Sequence, residues 1–290
     1  MRDFLMSRRA RLSPEEAGLP AHSGNRRVEG LRRAEVAALA GVSVDYYTRL
    51  ERGNLRGVSE GVLNALVRTL KLDMAETAYL FNLARAANAS GAAPRPETAE
   101  QVRPTIQRTL DALTGAPAWV RNGRFDFLAA NDLGHALYAD LFDGRARPPS
   151  YARYLFLDPR SKDFCLEWES VAHAIVSFLR SEAGRDPHDS SLTALIGELS
   201  TQSKEFRRMW ASNDVCFHRS GRKLLHHSVV GRLDLAFEVM ELSADPGLVL
   251  VTYTAEPGSP SDDALSLLAS WSARHNTADT RSMLRPAGGS

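Results

Sequence analysis

The sequence has few of the features that mark secreted, membrane or disulfide-stabilised proteins. Its 290 residues include two cysteines, Cys165 and Cys216, which can form one bridge at most and do not stand in a CxxC pair. A disulfide scaffold and a cysteine-rich zinc site are therefore excluded. No run approaches the ~20 apolar residues of a membrane span, and the arginine-containing start lacks the apolar core of a signal peptide. We expect a cytoplasmic protein that does not interact with membranes.

The common catalytic signatures are also missing. The chain contains no GxSxG, HExxH or P-loop sequence, and no GxGxxG followed by a predicted helix. The adjacent histidines His226 and His227 would point to opposite faces of a strand, which disfavours a metal site there. We expect no enzyme activity, no catalytic residues, no metal and no required cofactor.

Net charge is almost absent, but it is unevenly placed. The whole chain carries +1, whereas residues 1–56 carry 11 arginines, no lysine and 7 acids, a net charge of +4. The remainder is therefore acidic, with a net charge of −3. A basic segment of this kind is typical of a surface that faces phosphates. A solvated helical face with internal salt bridges would explain the same charge equally well.

The periodicity of apolar residues changes along the chain. From Leu31 to Ala87 they recur every three or four residues, as in helices, and a first helix is predicted from about Phe4 to Leu12. Beyond a small, polar, proline-containing stretch, alternating segments predict strands joined by short turns, which favours an antiparallel sheet. The predicted strands are residues 118–121, 125–130, 215–219, 223–227, 233–240 and 248–253. Among the helices between them, one long helix is predicted to hold Phe164, Trp168, Val171, Ile175 and Phe178. The predicted organisation is an all-α domain (1–88), a linker (89–102), an α+β domain (103–272) and a disordered tail (273–290).

The segment RRAEVAALAGVSVDYYTRLERG, residues 32–53, fits two helices that cross at a tight turn. Such a pair needs a small residue where the helices touch, a turn residue that tolerates positive φ, and apolar residues that hold the second helix. These needs are met in register by Ala37, Gly41, Tyr47 and Leu50, at positions 5, 9, 15 and 18 of a twenty-residue frame that begins at Arg33. The pattern predicts a helix-turn-helix whose second helix spans about residues 43–52.

In such a motif the second helix lies in the major groove of double-stranded DNA. The residues predicted to face base edges are Ser43, Val44, Asp45, Tyr46 and Arg49. Arg49 can donate two hydrogen bonds to guanine and Asp45 can accept one from cytosine. The residues predicted to contact phosphates are Arg32, Arg33, Arg52 and Arg56.

Each of these assignments has a structural alternative. Asp45 would also favour its own helix N-terminus, and Arg49 would pair with it one turn away. Tyr46 would sit equally well on the rim of the core. The phosphate-facing arginines would be simply solvated.

Several segments resemble one known family. GLRRAEVAALAGVSVDYYTRLERGN and VLNALVRTLKLDMAETAYLFNLA are similar to the five-helix DNA-binding domain of XRE-like (lambda-repressor-like) regulators, and VDYYTRLERG resembles the MmyB-like subfamily. VRPTIQRTLDALTGAPAWVRNGRFDFLAAN, YLFLDP, ELSTQSKEFRRMWASNDV and VTYTAEPGSPSDDALSLL resemble its C-terminal domain. The resemblance covers about residues 1–272. The sequence departs from the family pattern at Asn213, where relatives commonly have histidine.

That resemblance implies a bacterial transcription regulator, on the nucleoid when DNA-bound, whose C-terminal domain has a PAS-like fold and binds a small, fatty-acyl-like effector. Aromatic residues between sheet and helices are then expected to line an apolar pocket. The pocket residues predicted in this way are Phe127, Trp168, Phe178, Arg208, Trp210, Phe237 and Tyr253. The alternative for each aromatic residue is ordinary core packing.

The sequence thus predicts a homodimeric, sequence-specific DNA-binding regulator that reads an inverted-repeat operator. The alternative is a protein–protein interaction module that uses the helical domain and does not bind specific DNA.

Overall fold

The computed structural model describes residues 2–20, 28, 30–88, 101–144, 147–211 and 220–283. The chain forms two compact units, one of residues 1–93 with 173–217 and the other of residues 94–172 with 218–290. Residues 173–217, which the sequence pattern placed in the second domain, thus group with the helical unit. The boundaries predicted from sequence at residues 88 and 103 stay predictions.

The described residues of the first 88 form five helices. These are α1 (Arg2–Arg11), α2 (Arg33–Ala40), α3 (Val44–Glu51), α4 (Glu60–Thr69) and α5 (Met74–Asn88). Their shared core contains the fully buried side chains of Leu31, Leu66 and Leu80. Phe4 of α1 packs edge-on against Tyr79 of α5, with ring centroids 4.9 Å apart. The predicted five-helix domain is confirmed.

The remaining elements mix helices and strands. They are α6 (Pro104–Ala112), β1 (Ala118–Arg121), β2 (Phe127–Ala130), α7 (Asp132–Leu137), α8 (Ala139–Phe142), α9 (Tyr151–Leu157), α10 (Arg160–Phe164), α11 (Trp168–Arg185), α12 (Ser190–Gln202), α13 (Lys204–Ala211), β3 (Ser220–His227), β4 (Gly231–Glu241), β5 (Val249–Thr254) and α14 (Pro260–Met283). The strands form one antiparallel sheet in the order β2-β1-β5-β4-β3. The predicted α+β domain with an antiparallel sheet is confirmed.

Successive residues of β1 point to opposite faces of this sheet. Val120 joins Leu110 of α6 and Leu250 of β5 in a small aliphatic cluster on one face. Trp119 points to the other face, where its ring stacks on that of Phe127 at a centroid distance of 5.0 Å. One face of the sheet is therefore aliphatic and the other is aromatic.

Asn131 fixes the point where β2 ends and α7 begins. Its side-chain oxygen accepts hydrogen bonds from the backbone N–H groups of Gly134 at 2.8 Å and Ala118 at 3.0 Å. Its side-chain nitrogen donates to the carbonyls of Leu113 at 2.6 Å and Ala116 at 2.8 Å. Both donors and both acceptor positions of the amide are thus used. This single side chain joins α6, β1 and α7.

Two predictions about the second half of the chain are wrong. A single long helix containing Phe164 and Phe178 is instead broken after Phe164, because Cys165 forms a β-bridge with Leu225 and the Leu166 N–H donates to Leu224. The tail predicted to be disordered from residue 273 is helical to Met283, where α14 ends. The strand predicted at 215–219 and the tail residues 284–290 lie outside the described residues.

Helix α11 approaches α5 closely at Gly184. A Cβ atom added there would lie 2.6 Å from a ring carbon of Tyr79 and 3.2 Å from a methyl carbon of Leu83. No side chain fits at this position, which explains a glycine inside a helix.

Two kinds of feature are missing from the described part of the chain. None of its helices combines the length and the apolar character needed to cross a membrane. The same residues contain no group of three or more histidine, cysteine, aspartate or glutamate side chains arranged to hold a metal ion.

Candidate nucleic-acid interface

The turn between α2 and α3 has the geometry that its sequence requires. Gly41 adopts φ +68°, in the left-handed region that glycine tolerates best. The N–H groups of Gly41 and Val42 close the end of α2 by donating to Ala38 at 3.2 Å and Ala37 at 2.9 Å. The Ser43 hydroxyl then accepts the N–H of Tyr46 at 3.1 Å and begins α3. The predicted helix-turn-helix is present at these residues.

The inward face of α3 is anchored by Tyr47 and Leu50, which are both fully buried. Burial raises the pKa of the Tyr47 phenol, and the nearby carboxylate of Glu51 raises it further. The phenol therefore stays neutral at physiological pH. Because these two residues occupy the core, the opposite side of α3 is left for solvent or a partner.

Glu51 at the end of α3 is a buried carboxylate that sequence reasoning did not single out. Its two oxygens accept hydrogen bonds from the Nε atoms of Arg9 at 2.7 Å and Arg33 at 2.5 Å. Burial alone would raise the pKa of Glu51, but these two guanidinium groups outweigh it and hold the pKa below its ordinary value. Glu51 thus ties α3 to both α1 and α2.

The outward side of α3 carries the side chains predicted to meet DNA bases. Ser43, Val44, Asp45 and Arg49 are all exposed, as are Arg32, Arg33, Arg52 and Arg56 around the ends of α2 and α3. The structure therefore brings the predicted base readers together on one exposed face, with the predicted phosphate contacts at its margins.

Tyr46 occupies an intermediate place between core and surface. Its half-buried ring packs against the helical core, and the Arg49 guanidinium lies 4.7 Å above its centroid. No ion pair joins Arg49 to Asp45 in the described part of the chain. Arg49 thus rests on an aromatic ring, not on the neighbouring acid.

Arg33 has a structural partner as well as an exposed surface. Its Nε donates to Glu51, yet 47% of the side chain is exposed. The hydrogen bond that Arg33 donates to the Glu51 carboxylate raises the pKa of the guanidinium, so the charge is permanent. The predicted phosphate contact of Arg33 would therefore be made by a guanidinium whose position is already fixed.

The loop after α3 is held from the far end of the helical unit. The side-chain oxygen of Asn88 accepts the N–H of Gly57 at 2.7 Å, while its nitrogen donates to the Ala84 carbonyl at 2.8 Å. Arg56, the predicted phosphate contact, immediately precedes Gly57. The sequence did not predict this role of Asn88, because its only signal there is an asparagine at the end of a predicted helix.

The residues predicted to line a ligand pocket are divided between the two units. Phe127, Phe237 and Tyr253 belong to the unit with the sheet, whereas Phe178, Arg208 and Trp210 belong to the helical unit. Trp168 is half-buried and its Nε1 donates to the Leu155 carbonyl at 3.0 Å. Arg208 is exposed, and the Trp210 ring stacks on Phe206 at 5.6 Å.

The aromatic face of the sheet is centred on Trp119, which sequence reasoning did not include in the pocket. Its ring contacts Tyr253 at 4.8 Å and Tyr138 at 5.1 Å, and the hydroxyl groups of those tyrosines lie 3.1 Å apart. Burial raises the pKa of both tyrosines. Trp119 is 3% exposed, and its Nε1 has no hydrogen-bond partner among the described residues. Phe127, Phe237 and Tyr253 are side chains of this closely packed aromatic core.

Comparison with known families accounts for both halves of the chain. Residues 4–80 match a helix-turn-helix domain, and residues 102–268 match the MmyB-like transcription regulator ligand binding domain. No curated protein matches the sequence. The second match alone covers more than half of the 290 residues. With its exposed second helix and its antiparallel sheet domain, the chain belongs to the MmyB-like helix-turn-helix transcription regulators.

Proposed function

We propose that this DNA-binding transcription regulator acts as a homodimer on an inverted-repeat operator, with α3 in the major groove. One observation carries the proposal: Ser43, Val44, Asp45 and Arg49 form an exposed row on a helix whose other side is locked by Tyr47 and Leu50. A helix held in this way presents its outer side chains in one fixed register, as direct readout of bases requires.

The arginines divide into two roles in this proposal. Arg49 reads a guanine, and its contact with the Tyr46 ring restricts the guanidinium before DNA arrives, which lowers the entropy cost of binding. Arg32, Arg33, Arg52 and Arg56 neutralise phosphates and set the position of α3 without selecting sequence. Asp45, which has no ion-pair partner in the described part of the chain, accepts from cytosine, and Val44 contacts a thymine methyl group.

A symmetric pair of such chains reads two half-sites about one helical turn (~10 bp) or a multiple of it apart. The second domain then supplies the effector response. Its family is defined by ligand binding, and the proposed effector is a small apolar, fatty-acyl-like molecule. In the proposed function the protein requires no cofactor and catalyses no reaction, and it acts in the cytoplasm, on the bacterial nucleoid.

Salt dependence separates this function from the alternative, a protein-interaction module built on the helical domain. Each phosphate neutralised by an arginine releases counterions. The logarithm of the DNA association constant should therefore fall linearly with the logarithm of the salt concentration, with a slope of about −0.9 per phosphate contact. The full chain is first used to select duplexes from a random library, and the enriched duplex is titrated between ~50 and ~200 mM salt. We expect enrichment of a palindromic site and a steep slope. Failure to enrich any duplex, or a flat salt response, would contradict the proposal.

A further inference from the structure

A groove lies on the surface of the second unit where α7, α8 and α14 meet. It encloses about 410 Å³, a volume within the usual range for small-molecule sites. Its lining residues are Asp132, His135, Ala136, Ala139, Phe142, Asp143, Trp271 and Ser272. None of them belongs to the pocket predicted from the sequence, so the groove is a separate site.

Aromatic side chains supply the apolar part of the groove. The rings of His135 and Phe142 lie 4.0 Å apart, and Trp271 contributes a further ring. Phe142 also contacts Phe127, the neighbour of Trp119 in the aromatic core, at 6.0 Å. The aromatic lining of the groove therefore packs against the aromatic core of the domain.

Among the described residues that line the groove, the charged side chains are the two carboxylates of Asp132 and Asp143. Asp132 and Asp143 are exposed, and neither carboxylate has a hydrogen bond or ion pair among the described residues. No arginine or lysine is among the described residues that line the groove. His135 is exposed, but partial desolvation of its ring lowers the pKa, and the nearby Asp132 only partly offsets this. Two carboxylates without a partner in the described part of the chain thus lie beside aromatic rings.

We propose that this groove binds a small amphiphilic cation, with an ammonium group attached to an aromatic or other flat apolar body. The ammonium group meets the carboxylates of Asp132 and Asp143 and the negative face of an aromatic ring, a combination that selects cations. The apolar body covers Phe142 and Trp271. An acyl carboxylate would instead be repelled by the two aspartates, so this ligand class differs from that of the predicted pocket.

Binding at this groove joins elements that already touch. The Ser272 hydroxyl donates to the backbone carbonyl of Asp132 at 3.4 Å, which links α14 to α7. A ligand that contacts both helices binds the folded protein and not the unfolded chain, and it therefore raises the unfolding temperature.

The test uses three probes that share one body and differ in head-group charge: 4-phenylbutylamine, 4-phenyl-1-butanol and 4-phenylbutyrate. Each is titrated calorimetrically into the full chain without DNA, and thermal unfolding is recorded in parallel. We expect the amine to bind about tenfold more tightly than the alcohol, the size expected for a pair of unit charges close together at a protein surface, and the butyrate not to bind.

Matched variants identify the site. Asp132→Asn combined with Asp143→Asn removes both charges with little change in shape and should reduce the affinity for the amine to that of the alcohol. Asp263→Asn removes an exposed carboxylate of α14 outside the groove and should leave binding unchanged. Ala139→Leu fills the groove and should abolish binding of all probes.

Equal affinity for the three probes, or unchanged amine binding in the double variant, would overturn the proposal. Because the titration contains no DNA, neither result bears on operator binding, and loss of operator binding would not affect this site.

Discussion

Arg9 of α1 and Glu51 of α3 form an ion pair across the helical core, with 2.7 Å between Nε and Oε1. The carboxylate is almost fully buried, and its second oxygen holds Arg33. The end of α3 is thus held to the first helix of the chain and to a residue at the margin of the proposed DNA surface.

Glu51→Gln should destabilise the helical unit strongly. The change leaves Arg9 and Arg33 without a counter-charge, and breaking a buried pair costs about 3–5 kcal/mol. We expect the lower end of that range because Arg33 is half-exposed. Urea unfolding with hydrogen exchange of the α3 amides measures the loss. Glu60→Gln, at an exposed acid in the first turn of α4, is the control and should change stability little.

The same carboxylate predicts a loss of stability in acid. The pKa of Glu51 is below its ordinary 4.5 in the folded protein, so its contribution is fully present above about 4.5 and is lost as the pH falls through the lower, folded value. The difference in α3 protection between wild type and Glu51→Gln should therefore shrink below that pH. A difference that stays constant from neutral pH to strong acid would show that Glu51 is not the titrating group.

Arg49→Ala and Arg56→Ala should affect DNA binding differently. Loss of a base contact relaxes the preference at one base position and costs about 1–3 kcal/mol, whereas loss of a phosphate contact weakens all duplexes and reduces the salt slope by about 1. Competition between the selected duplex and its single-base variants gives the first readout, and salt titration gives the second. Parallel behaviour of the two variants in both assays would rule out the proposed division.

Asn88→Ala should loosen the loop that carries Arg56. The N–H of Gly57 loses its acceptor, at a cost of about 1 kcal/mol, and DNA affinity should fall to a similar extent for all duplexes. Asn88→Asp keeps an acceptor and should retain most of the affinity. Asn64→Ala, at an exposed position of α4, is the control. If the Ala and Asp variants at position 88 bind alike, the bond to Gly57 does not set the loop.

A pair of glycines tests the close approach of α11 to α5. Gly184→Ala would push a methyl group into the Tyr79 ring and should destabilise the protein by about 1–3 kcal/mol. Gly197→Ala, in open space on α12, should instead stabilise it by about 0.5–1 kcal/mol. Thermal unfolding of the two variants should shift in opposite directions. Shifts of the same sign would contradict the packing described at Gly184.

The helix-turn-helix could be predicted because its geometry is encoded locally. Gly41 supplies the positive φ, Ser43 supplies the cap, and Tyr47 and Leu50 repeat with the helical period, all within a short segment. Exposure of Arg49 and its neighbours then follows from burial of the other face. The pairing of Glu51 with Arg9 could not be read in this way, since the two residues are 42 positions apart.

The aromatic core and the helix break illustrate the opposite case. Trp119 lies in a four-residue strand, AWVR, that is buried along its whole length, so no alternation marks which side chain faces the helices. The break after Phe164 contains neither glycine nor proline and arises from pairing with Leu225, a strand residue far along the chain. Both features depend on tertiary contacts that periodicity does not record.

The four hydrogen bonds of Asn131 also bear on the order in which this domain assembles. They join the end of α6, the start of β1 and the first turn of α7. The full set of four hydrogen bonds therefore forms only when all three segments are in place. The amide thus makes their formation one cooperative event rather than three independent ones. Its protons should exchange with solvent only when that whole region opens, so Asn131 is a natural reporter of domain unfolding.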